Sequence, residues 1–118
     1  MAIFAYSEVA LAHFSDLLHD LHFPMPKGRL APEKGEIRMT FTDQDRILRG
    51  DAVSRFSLLI CEIYEADIQG QPERCPLTLI FNEFRYKDKE SVLVLEAVHP
   101  LLLKFRVKRI HLALDQIA

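Results

Sequence analysis

Residues 91 to 98 read SVLVLEAV, apolar on both faces apart from Glu96. Side chains of a strand alternate between the two faces of a sheet, so such a segment is stable only as a central strand covered on both sides. One cover has to be a helix, and the other a second layer or another subunit. Residues 77 to 86 and 102 to 114 also have strand character, set off by Lys87-Asp88-Lys89-Glu90 and by His99-Pro100. In the last stretch Leu103, Phe105 and Val107 alternate with Lys104, Arg106 and Lys108, and the apolar phase then shifts to Ile110, Leu112 and Leu114. A phase shift inside one strand is the mark of a β-bulge. The C-terminal half therefore predicts three long antiparallel strands.

The N-terminal half supplies the cover. Ser7 is placed to cap a helix, Glu8 suits its first turn, and Ala10, Leu11, Phe14, Leu17, Leu18 and Leu21 share one face before Pro24. The spacing predicts an amphipathic helix running to Phe23. Pro32-Glu33-Lys34-Gly35 reads as a hairpin turn, followed by a strand in which Ile37, Met39 and Phe41 alternate with Arg38, Thr40 and Thr42. A polar turn at Asp43-Gln44-Asp45 leads to a short strand, 46 to 49. Segment 51–69 is open: Val53, Phe56, Leu59, Ile60, Ile63 and Tyr64 group on one side of a helix, whereas Phe56, Leu58, Ile60, Tyr64, Ala66 and Ile68 alternate as a strand broken by Glu62. The expected fold is α+β, an N-terminal amphipathic helix packed on a mainly antiparallel β-sheet, with 51–69 either a second helix or a further strand. At 118 residues, with no repeat or linker, the chain reads as a single domain, 1–118.

Composition narrows the function. Hydrophobic residues are 49% and charged residues 27%, which is globular, and the net charge of -2 gives no overall field for nucleic acid or anionic membrane. The opening residues MAIFAYSEVALAHF lack a basic leader and carry Glu8, no run reaches membrane-spanning length, and Cys61 and Cys75 are expected to be reduced thiols. A cytoplasmic protein is expected. No nucleophile elbow, phosphate loop, H-E-x-x-H or dinucleotide fingerprint occurs, and neither a metal nor a cofactor is expected.

Three features still invite chemistry. In HFSDLLHDLH, residues 13 to 22, helical geometry sends the histidines to different sides and leaves only Asp16 able to meet His13 and His19. An imidazole oriented by Asp16 is a candidate acid-base pair, and the competing reading is a solvated helix face. Arg85, Lys104, Arg106 and Lys108 form a candidate basic stripe for nucleic acid, against a plain outer face with acidic cross-strand partners such as Glu83 and Glu96. Cys61, inside LLICEI, reads as a core residue, and Arg49-Gly50-Asp51 as a turn.

The remaining feature is apolar excess between Val92 and Ile117, including Leu112 and Leu114, which one helix and one small sheet do not cover. Exposed apolar area tends to be an interface. The order of a helix, a proline-containing loop, short antiparallel strands and a later meander resembles secretion-type chaperones, small dimeric proteins that hold an unfolded partner segment; that likeness implies partner binding and assigns no residue. The sequence thus points first to a non-enzymatic protein-interaction module, an adaptor, inhibitor or assembly component and a homo-oligomer. A small enzyme using the His/Asp pair is the alternative, and nucleic-acid binding through the basic strand a further one.

Overall fold

The segments with period-two spacing are strands. The computed structural model describes residues 2–26, 30–43, 50 and 55–117. In chain order these form β1 (Ala2–Ala5), α1 (Glu8–Leu18), β2 (His22–Pro24), β3 (Ile37–Thr42), β4 (Arg55–Ile60), β5 (Ile63–Gly70), β6 (Thr78–Lys87), β7 (Val92–Ala97), β8 (Leu101–Val107) and β9 (Leu112–Gln116). Among the described residues one helix packs on one antiparallel sheet of nine strands in the order β1-β9-β4-β3-β2-β6-β7-β8-β5. The fold is α+β. Segment 55–70 is two strands and not a helix, its β-branched and aromatic residues finding partners in β3 and β9 on one side of the break and in β8 on the other. The strand expected at 46 to 49 lies outside the described residues.

Order along the sheet shows how it folds over. Only Cys61 and Glu62 separate β4, the third strand of the order, from β5, the last. Likewise 108–111 separate β8 from β9, at opposite ends of the order. Two such short links bring the sheet's two ends together as stacked layers. The phase shift after Val107 is therefore a passage between layers, and not a bulge within one strand as its pattern suggests. Ile37, Phe41, Leu58, Ile60, Leu112 and Leu114 from one layer meet Leu93, Leu95, Leu103 and Phe105 from the other in one buried cluster. A run of aromatic contacts crosses it: Phe23 to Phe41 at 5.4 Å, Phe41 to Phe81 at 5.6 Å and Phe81 to Phe84 at 4.9 Å.

Helix α1 begins where expected, the Ser7 hydroxyl accepting from the Ala10 amide at 3.2 Å. It stops five residues before Phe23, because Asp20 turns left-handed (φ 65°) and His22–Pro24 pair with β6. The helix then occupies the flank of β6 that the short β2 leaves open. Asp20 N donates to Phe81 O (3.1 Å), Phe81 N to Leu21 O (2.9 Å), and Phe84 N to the buried Ser15 hydroxyl (2.9 Å). Leu11, Phe14 and Leu18 go into the core. At 33–36 a tight reversal has Lys34 and Gly35 both left-handed (φ 53° and 74°), the two-residue geometry that matches strand twist.

Gly70 is held where no other residue fits. At φ 124° a Cβ would lie 3.0 Å from Leu101 Cα and closer still to the Pro100 carbonyl oxygen. Gly70→Ala is expected to cost about 2–3 kcal/mol in denaturant unfolding. A loss under about 1 kcal/mol would show that the β5–β8 end yields freely.

Candidate protein-interaction surface

The sheet ends on β1 and β5, and the two edges differ in chemistry. β5 runs eight residues and carries Glu65 and Asp67, both exposed. Charge along an edge is a standard protection against pairing with another chain. β1 has none: its residues are Ala-Ile-Phe-Ala, and no charged side chain occurs before Glu8. Among the described residues no strand pairs with its outer side. Large apolar groups are exposed on β1 and directly after it, with Ile3 44%, Phe4 54% and Tyr6 57% exposed. Register sorts them by face. Ile3 and Ala5 oppose Leu114 and Leu112 on the core side, while Phe4 opposes Ala113, which opposes Leu59, on the outer side. An uncharged edge thus continues into an apolar outer strip.

Next to this strip the chain changes layers. Cys61 N donates to His111 O (2.9 Å) and Lys108 N to Glu62 O (2.9 Å), which fastens the two crossing links together. Glu62 is left-handed (φ 57°), a cost for a residue with a Cβ. Its carboxylate offsets that cost. Arg109 Nε and His111 Nδ1 (2.9 Å) both donate to Glu62 Oε2. The Arg109 hydrogen bond first, and the His111 one second, hold the Glu62 carboxyl below its ordinary range. The same two side chains support the aromatic surface, with the Tyr6 ring 5.0 Å from His111, the Arg109 guanidinium 6.0 Å over Tyr6, and Phe4 stacked on Tyr6 at 6.1 Å. Phe, Tyr and Arg around an apolar strip are the residues that interface centres favour.

Glu62 and His111 beside Cys61 invite comparison with a thiol catalytic site. Burial first, then the charges of Glu36 and Glu62, push the Cys61 thiol up, so it stays protonated and a poor nucleophile. The carboxylate is already engaged by Arg109, and the cluster serves the bend.

The first-helix candidates do not converge. His13 and Asp16 are exposed on α1. His19 caps the helix end and donates from Nδ1 to the Asn82 carbonyl at 3.1 Å, so its role is to tie α1 to β6. His22 sits in β2, away from the helix face altogether, its Nδ1 buried without a hydrogen-bond partner among the described residues. No group of three or more His, Cys, Asp or Glu among the described residues is placed to hold a metal.

The basic stripe is matched by acids. Arg85 pairs with Glu83 (2.9 Å) and Glu96 (3.1 Å), Arg106 lies 3.7 Å from Glu65, and Lys104 stands opposite Asp67 in the β5–β8 register. Lys108 is exposed on the link beyond β8, separate from that face. Such pairing leaves little net positive field for a phosphate backbone. Leu112 and Leu114 of β9 are both buried in the core cluster. An apolar cleft of about 280 Å³ is lined by Met25, Leu30, Ile37, Met39 and Leu103, just under the roughly 300 Å³ at which ligand pockets begin.

Comparisons with protein-family models, curated proteins and solved structures returned no match. Cys61 and Cys75 are free thiols, and no described helix is long and apolar enough to cross a membrane.

Two measurements check the supports of this surface. Ser15→Ala removes the acceptor of a buried amide and is expected to cost about 1–3 kcal/mol in denaturant unfolding; a change within error would mean that water replaces the hydroxyl. For Glu62 the sign follows from its lowered folded pKa. Its stabilisation is complete above the ordinary carboxylate value of about 4.3 and disappears as pH falls through the lower folded value. The stability gap between wild type and Glu62→Gln is therefore expected to be full at pH 7 and to close as pH falls below the ordinary carboxylate range, and a gap that stays constant contradicts the ion-pair role.

Proposed function

We propose that this chain is a non-enzymatic protein-interaction module of the cytoplasm, an adaptor or assembly component, which binds a protein partner on the β1 edge and the adjoining Phe4–Tyr6 surface. The observation that carries the reading is the contrast between edges. β5 has the acidic side chains that keep a free edge apart from other chains, and β1 is uncharged with apolar groups exposed on both of its faces. Exposed apolar residues elsewhere, such as Leu77 and Tyr64, have no such open edge of uncharged strand beside them.

A short edge restricts what kind of partner it can hold. Ordering a flexible peptide costs about 1–2 kcal/mol per residue in backbone entropy, while each ladder hydrogen bond returns about 0.5–1.5 kcal/mol net. Four residues of β1 do not offset that cost through the ladder alone. The edge favours a partner that is already folded, with a strand of its own to offer, and the Phe4–Tyr6 face adds apolar contact.

The test is retention of protein by the immobilised chain from extract of its native source. Phe4→Lys places a charge on the outer face of the edge without touching the core, and it is expected to lower retention of the bound protein by about tenfold or more, as loss of an interface centre does. Lys104→Ala and Arg106→Ala, on the charge-paired face, are expected to leave it unchanged. Equal retention by wild type and Phe4→Lys contradicts the assignment of this surface.

A further inference from the structure

We infer that the partner of the β1 edge is a second copy of this chain, joined edge to edge about a two-fold axis with Phe4 opposite the partner's Phe4. The inference rests on the proposal that β1 is the binding edge and goes further in naming the occupant. Three observations lead to it. The first is charge. Residues 2 to 7 carry no ionisable group except the Tyr6 hydroxyl, so an antiparallel copy sets no like charges against each other. The β5 edge, paired with itself, would bring Glu65 and Asp67 against the same acids. Self-association is therefore disfavoured at one edge and unopposed at the other. The second is order. The partner has to be a preformed strand, and an identical β1 is one, already hydrogen-bonded to β9 along its inner side.

The third is register. Residues directly opposite one another in an antiparallel pair point to the same face, and a two-fold axis normal to the sheet keeps each face on its own side. Ile3 faces the core and Phe4 faces outward, so the two cannot stand opposite each other across the axis. Axes through Ile3, Phe4 and Ala5 all meet the requirement, and the one through Phe4 joins the two outer strips at their shared ring. It sets Phe4 against the partner's Phe4, Ile3 against the partner's Ala5, and Ala2 against the partner's Tyr6. Each large group then faces either its equal or a small one. On the outer side the strip Leu59–Ala113–Phe4 continues into the partner's Phe4, and the sheet of nine strands becomes one of eighteen across the pair. On the core side Ile3, open at the end of the layer, gains a neighbour. The contact is short, so the dimer is expected to dissociate on dilution.

The register supplies its own test. Wild type, Phe4→Lys and Phe4→Glu are each examined by sedimentation velocity from about 1 to 200 µM, together with an equimolar mixture of the two variants, folding being checked by far-ultraviolet circular dichroism. Wild type is expected to pass from monomer to dimer with concentration, and each variant to remain monomeric. Mixing the two sets Lys directly opposite Glu, and the mixture is expected to associate about tenfold more tightly than either variant alone. A third substitution, Phe4→Ser, adds no charge and removes the ring, and it is expected to weaken the dimer less than Phe4→Lys does. Wild type that stays monomeric at every concentration overturns the second-copy inference while leaving the β1 edge open to a different folded protein. A wild-type dimer that both charged variants leave intact overturns the inference and the assignment of the β1 surface together. A dimer broken by both variants but not restored by mixing overturns the Phe4-to-Phe4 register.

Discussion

A sheet that folds over on itself without closing has two edge strands, and each exposes backbone donors and acceptors that another chain can use. The nine strands here end on β1 and β5, and a third flank opens along β6 where β2 runs out after three residues. Each is handled by different chemistry. The helix and the turn that follows it cover the β6 flank, Ser15 of α1 accepting the Phe84 amide and Leu21 of the turn the Phe81 amide. Acidic side chains line β5. β1 has neither cover nor charge, and what it has instead is an apolar and aromatic surface of the kind found at interface centres.

The bend at Glu62 sets where that surface lies. Two links, 61–62 and 108–111, carry the chain between layers, and the first of them requires a left-handed residue that is not glycine. Arg109 and His111 converge on the Glu62 carboxylate and hold the links side by side. Both also contact Tyr6, directly beyond β1. A carboxylate, an imidazole, a thiol and a phenol thus stand together for architectural reasons, and the edge strand is oriented by the same group that stabilises the bend.

Most of the sheet was legible as period-two spacing, because alternation between a buried and a wet face is a local property. β3 sits where the alternation Ile37-Met39-Phe41 places it, and β7 where SVLVLEAV, apolar on both faces, calls for a central strand. What periodicity does not encode is the partner. Segment 55–70 carries both a helical and a strand pattern, and only pairing with β3, β9 and β8 decides between them. The shift from Val107 to Ile110 has the form of a bulge, yet the distance between β8 and β9 in the sheet order makes it a change of layer. The helical spacing through Leu21 also ends early, since Phe23 gains more as a buried strand residue against β6 than as a last helical turn. On the surface, the basic residues were visible but not the acids across from them, which register alone supplies. The signal for β1 was present as the uncharged run Ala2–Tyr6, and it carries meaning as an edge only once β9 is known to pair with it.

The proposed role requires another strand on the outer side of β1. Amide hydrogen exchange of Ala2–Tyr6, followed at increasing protein concentration, measures this directly, because amides on the side away from β9 are protected only when another strand takes them. Protection that rises with concentration at those amides, while β5 stays unchanged, is the predicted result. Fast exchange along the outer side of β1 at every concentration, in the pure chain and in the presence of any protein it retains, would rule out that role.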